Sequence, residues 1–149
     1  MTNFIRRSKV TVSAMLILGG LILGHSAFAI SVGGDSGYAN FASGVPCFSI
    51  LGAQVQYTGG CGNTQFWTIP LPVNQGTRSV AISATNNSSL NCSLCATDQS
   101  GNAISCSTPT FPAGTSVQTP SVTVPSNGAM YLQCVMGANS LINTLNYNQ

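Results

Sequence analysis

Beyond residue 45 the chain alternates apolar and polar residues in short runs, with Gly, Asn, Asp, Ser and Pro collected between them. The period is two rather than 3.6, which predicts half-buried strands instead of helices. Strands are predicted at Cys47–Ile50 continuing through Val55–Tyr57, and then at Gln65–Leu71, Arg78–Thr85 and Leu90–Thr97. Four more follow at Asn102–Ser107, Ser116–Val124, Ala129–Met136 and Leu141–Tyr147. Turn residues separate them: Gly59-Gly60, Asn74-Gln75-Gly76, Asn86-Asn87-Ser88-Ser89 and Pro125-Ser126-Asn127-Gly128. Asp98-Gln99-Ser100-Gly101 is the clearest hairpin turn, because its glycine can take a positive φ.

The alternation also assigns faces. Val80, Ile82 and Ala84 share one side of their strand, as do Leu90, Cys92, Leu94 and Ala96. Met130, Leu132, Cys134 and Met136 share another, with Tyr131 and Gln133 opposite. No segment carries a helical stripe. The expected fold is all-β: a disulfide-stabilised antiparallel two-sheet β-sandwich of about eight strands, jelly-roll preferred, with an immunoglobulin-like sandwich as the alternative.

The first 45 residues read differently. Arg6, Arg7 and Lys9 precede an apolar stretch, Val10 to Gly24, broken only by Thr11 and Ser13. Ala27-Phe28-Ala29 follows, with small residues where a signal peptidase cuts. This is the pattern of a secretory signal peptide over residues 1–29. The apolar stretch falls short of the roughly 20 residues that span a bilayer. Residues 30–45, rich in Gly, Ser and Ala, read as a loop or loosely docked arm, and 46–149 as a single sandwich domain. The chain is therefore expected to be secreted, periplasmic or at a cell surface, with no membrane attachment after cleavage.

Removing the leader changes the charge picture. Of four basic residues only Arg78 remains, with Asp35 and Asp98; there is no Lys, Glu or His beyond residue 29. Binding nucleic acid takes several cations to displace phosphate counterions, so a nucleic-acid partner is excluded; adhesion of a basic patch to anionic lipid fails for the same reason. Two carboxylates are too few for a strong calcium site. A Ser-His-Asp triad lacks its histidine. Asp35 and Asp98 lie in a Gly-rich arm and a hairpin turn, and nothing in the sequence sets them face to face as a glycosidase pair requires. The reading is non-catalytic, without metal or cofactor.

All six cysteines lie past the leader. An even count in an exported chain implies disulfides, though sequence alone does not choose among the many pairings. Cys92-Ser93-Leu94-Cys95 has redox-motif spacing, but it sits in a strand rather than at a helix N-terminus. A jelly-roll suggests one set of pairs. Its second sheet runs second, seventh, fourth, fifth strand across, so Cys92 and Cys134 become inward-facing neighbours. Cys95 and Cys106 then flank the hairpin turn, which leaves Cys47 with Cys61.

Together the Cys47-to-Tyr57 strand, Cys61, Trp67-Thr68-Ile69-Pro70-Leu71, Leu90-Asn91-Cys92-Ser93-Leu94, the Asp98 hairpin and Tyr131-Leu132-Gln133-Cys134 resemble an uncharacterised group of small secreted cysteine-containing bacterial β-sandwich proteins. The group shares the late aromatic-Leu-x-Cys strand. Its members end that strand in a Leu-Pro turn, whereas here Cys134 runs into Val135-Met136-Gly137. The resemblance implies architecture and says nothing of activity.

Two function classes remain. One is an extracellular structural or surface-associated sandwich that packs against copies of itself. The other is a carbohydrate- or surface-binding module that uses exposed aromatics as stacking platforms. Trp67 shares parity with Ile69 and Leu71 and is expected in the core. Phe66 and Tyr131 then point outward and are the candidate binding residues.

Overall fold

The computed structural model describes residues 29–61 and 65–149; the predicted leader, up to residue 28, lies outside them. Twelve strands are present: β1 (Ala29–Gly33), β2 (Tyr38–Ala39), β3 (Phe48–Leu51), β4 (Gln54–Tyr57), β5 (Gln65–Leu71), β6 (Gly76–Asn86), β7 (Leu90–Thr97), β8 (Ala103–Ser107), β9 (Gly114–Gln118), β10 (Ser121–Val124), β11 (Ala129–Met136) and β12 (Leu141–Asn148). They form two antiparallel sheets. One has five strands in the order β2-β5-β11-β7-β8. The other has seven: β12 and β6 lie side by side at its centre, β1, β4 and β3 lie on the β12 flank, and β9 and β10 lie on the β6 flank. The run β5-β11-β7-β8 is the second, seventh, fourth and fifth predicted strands, the jelly-roll order.

Between the sheets lies one apolar core. Val80, Ile82 and Ala84 from β6 meet Met130, Leu132, Cys134 and Met136 from β11, all essentially fully buried. Trp67 joins them, as its parity predicts. In β12 a bulge between Ile142 and Thr144 resets the alternation, so Ile142, Leu145 and Tyr147 all face inward.

Three expectations are corrected. The segment 47–57 is a hairpin rather than one strand: Gly52, with φ 67°, turns the chain so that Leu51 pairs with Gln54. The segment 116–124 is also two strands. Both run beside β6, and the break at Thr119-Pro120 hands Val80 N–H to the Pro120 carbonyl at 3.0 Å. With these two splits and with β1 and β2, the described residues hold twelve strands rather than about eight.

The third correction is the N-terminal stretch, which is stitched into both sheets. β1 pairs with β12 from Ala29–Asn148 to Gly33–Thr144, and β2 pairs with β5. The 3-10 turn Gly34–Ser36 between them receives a buried hydrogen bond at 2.9 Å from Trp67 Nε1 to Gly34 O. The glycines that made the stretch look loose permit close approach instead. A Cβ on Gly34 would strike the Ile142 carbonyl, and one on Gly37 the Trp67 ring nitrogen.

The disulfides are Cys47–Cys61, Cys92–Cys134 and Cys95–Cys106, with Cα separations of 5.6, 4.0 and 4.2 Å. Cys92 and Cys134 sit opposite each other on the inward faces of β7 and β11, and Cys95 and Cys106 on the outward faces of β7 and β8.

Candidate functional site

The inward face of the five-stranded sheet is consumed by the core; its outward face is open. The strand register places side chains there in rows. Tyr38, Thr68, Gln133 and Ser93 form one row across β2, β5, β11 and β7, and the Ser93 hydroxyl lies 3.1 Å from that of Thr108, just past the end of β8. Pro70, Tyr131, Cys95 and Cys106 form the next.

Where these rows meet the β2 edge, the chain leaves the sheet at Asn40 and Phe41 and rises as a wall. The result is a groove of about 520 Å³ lined by Tyr38, Asn40, Phe41, Thr68, Pro70, Gly101, Tyr131 and Gln133. That volume falls within the range of small-molecule sites. Tyr38 and Phe41 keep 56 % and 61 % of their surface in solvent, which is ample ring face for stacking. Tyr131 is half-buried in the floor. Gly101 comes from the tip of the β7–β8 hairpin, so one wall is an N-terminal segment and the other a hairpin turn.

The polar groups form a short relay. Gln133 Nε2 donates to Thr68 Oγ1 at 3.4 Å, and Thr68 Oγ1 donates to Asn40 Oδ1 at 2.5 Å. Thr68 is buried although it stands on the outward face, because Asn40 and Gln133 cover it. With its hydroxyl so used, Thr68 orients the other two. Among the described residues Asn40 Nδ2 and Gln133 Oε1 then make no hydrogen bond, leaving one amide donor group and one acceptor for a ligand.

No Lys, Arg, His, Asp or Glu lines this groove. Asp98 begins the turn that ends in Gly101. Its Oδ1 accepts from the backbone N–H groups of Ser100 and Asn102, both at 2.9 Å, and its Oδ2 accepts from Asn102 Nδ2 at 3.1 Å. The Asn102 contacts first, and the Ser100 bond with them, hold its carboxyl below the usual carboxylate range. Arg78 gives its guanidinium to the Asn74 and Gln75 carbonyls at 3.0 and 2.8 Å, on the opposite sheet. Asp35 lies in the turn between β1 and β2. Among the described residues no cluster of three or more His, Cys, Asp or Glu side chains is set to hold a metal.

The two candidate aromatics part company. Tyr131 lies in the groove floor. Phe66 stands on the same outward face, 36 % exposed, but opposite Val135 and two rows away, outside the groove lining. Tyr57, Trp67, Phe111 and Tyr147 are buried. The sequence offers Tyr38 and Phe41 among its candidate aromatics, but parity favours Phe66 and Tyr131 over them because they belong to the supposed arm; Asn40, in the same arm, carries no such signal. Gln133 was within reach, because it shares Tyr131's parity.

A second, smaller hollow of about 330 Å³ opens on the other side of Tyr38, between Ala39, Val45, Phe48, Ile50 and Trp67. It is apolar, with the Phe48 ring 4.7 Å from that of Trp67.

Neither a protein-family model nor a curated protein matches the chain. Solved structures do match in fold. The C-terminal CBM6, a carbohydrate-binding module, of LamC, a marine laminarinase from Zobellia galactanivorans, aligns with TM-score 0.54 at 11 % identity, over 82 % of this chain and 100 % of that one. The module named BiXyn10A CBM1 aligns with TM-score 0.55 at 11 % identity, over 83 % and 97 %. The CBM36-1 domain of a multidomain xylanase from the hindgut metagenome of Trinervitermes trinervoides gives 0.51 at 14 %, over 82 % and 98 %. The chain also matches the exo-β-1,3-galactanase Pc1,3Gal43A of Phanerochaete chrysosporium, TM-score 0.51 at 17 % identity, but spans only 29 % of that enzyme. The protein is a small, cysteine-containing β-sandwich with the fold of carbohydrate-binding modules.

Proposed function

We propose that the chain is an exported, non-catalytic module that binds glycan in the groove on the outward face of the five-stranded sheet. One observation carries the reading: a groove of about 520 Å³ joins three aromatic rings, Tyr38, Phe41 and Tyr131, to the uncharged polar groups of Asn40, Thr68 and Gln133. Sugar rings offer apolar C–H faces to aromatics and hydroxyls to amides, so this combination suits them. The shared fold of modules matched over nearly their whole length supports the same reading.

The non-catalytic part rests on chemistry. General acid–base work falls most often to His, Asp, Glu or Lys, and none of these lines the groove. Export rests on the leader pattern and on the disulfides, which persist in oxidising compartments. Cleavage after Ala29 would leave Ile30 to Gly33 of β1 in their pairing with β12. Among the described residues no helix is long and apolar enough to cross a membrane.

The test is titration calorimetry against a panel of soluble polysaccharides. A ligand is expected whose affinity falls about five- to thirtyfold in Tyr131→Ala, equivalent to about 1–2 kcal/mol. A bound glycan indifferent to Tyr131 removes the groove from the account.

A second reading, a surface-associated building block, is favoured by the exposed apolar side chains Val45, Ile50 and Leu51 beside the smaller hollow. Sedimentation over a concentration series tests it, with growing assemblies as the expected sign.

A further inference from the structure

We infer that this groove selects uncharged glycans and discriminates against chains bearing carboxylate or sulfate groups. The inference rests on the glycan-binding reading and adds its ligand class. The eight lining residues include no Lys, Arg, His, Asp or Glu. Recognition falls to the Asn40–Thr68–Gln133 relay and three aromatic rings, which serve hydroxyls and C–H faces equally well on any neutral sugar.

An anionic sugar seated there would lose part of its hydration and gain no cation in return. An uncompensated charge is costly to desolvate even partially. The one basic side chain past the predicted leader cannot supply the partner. Arg78 lies on β6 in the opposite sheet, and both its Nε and an Nη are committed to the Asn74 and Gln75 carbonyls. The charges placed closest along the chain have the wrong sign. Asp35 sits three residues before Tyr38, and Asp98 three residues before Gly101 in the same turn, its carboxylate held by Ser100 and Asn102. A negative group at that wall adds repulsion to the missing attraction.

The experiment is calorimetry of the full-length secreted protein with an uncharged β-glucan, an uncharged galactan and a polyuronate, each at low and high salt. A neutral chain is expected to bind about tenfold tighter than the polyuronate or better, with affinity unchanged by salt, since no ion pair is made. Gln133→Lys, which puts a cation on the groove floor, is expected to narrow that ratio and make polyuronate binding salt-sensitive. A folded Gln133→Lys protein with the wild-type ratio contradicts the charge argument. Should the variant not fold, the wild-type ratio and its salt dependence decide alone. Polyuronate binding as tight as neutral binding overturns this inference and leaves glycan binding standing. Binding to none of the three removes both.

Discussion

β7 carries two cysteines three residues apart, and each is stapled to a neighbouring strand on a different face of the same sheet. Cys92 points into the core and joins Cys134 of β11, both fully buried. Cys95 points outward and joins Cys106 of β8, which is open to solvent. The inner bridge sits among Leu94, Leu132 and Met136, where only packing matters. The outer bridge lies in the row of Pro70 and Tyr131 and closes the hairpin whose tip, Gly101, lines the groove. The two faces divide the labour: one holds the sheets together, and the other shapes a surface.

The comparison breaks if changes on one face have the consequences assigned to the other. The largest expected effect is on the inner face. Leu132→Ala, at a site with no exposed surface, should cost about 2–5 kcal/mol in chemical denaturation while leaving the glycan affinity of the folded fraction intact. Removing the inner bridge as Cys92→Ala with Cys134→Ala should cost about 4 kcal/mol, and removing the outer one as Cys95→Ala with Cys106→Ala about 3, because the closed loops differ, 42 against 11 residues of separation. Only the outer pair should also weaken glycan binding, by freeing the Gly101 wall. Calorimetry beside the denaturation curves reads both quantities.

The smallest effect concerns acid. Asp98's folded carboxyl pKa is depressed, so its contribution to the hairpin is present above the ordinary carboxylate range and lost as pH falls through the lower folded value. Exchange of the Ser100 and Asn102 amides, which that carboxylate holds, is expected to rise relative to the core amides only on acidification below the ordinary range. In Asp98→Asn the acid-dependent rise should vanish.

Much of the inner face was legible in the chain because it depends on strict alternation. Met130 to Met136 and Val80 to Ala84 could be assigned residue by residue, and the parity of Cys92 and Cys134 followed. The outer face depends on which segments land beside it, and alternation is silent about that. Tyr38 and Phe41 reach the groove because Trp67 and two closely approached glycines pin the N-terminal stretch against β5 and β12. β1 itself pairs with residues at the far end of the chain, Asn148 among them, so no local pattern could reveal it. The Gly52 hairpin hid for another reason: Val55 and Tyr57 continue the alternation past a turn made with a single glycine. Phe66 and Tyr131 share a face, but parity carries no information about the two rows that separate them.

The central claim is that ligand meets this protein on the outward face of the five-stranded sheet. Backbone amide shifts recorded while a neutral glycan is added test it most directly. The account predicts changes at Tyr38, Asn40, Thr68, Tyr131 and Gln133, fading toward β6 and β12. Saturable changes confined to β6, β9 and β10, with those five amides still, would contradict it.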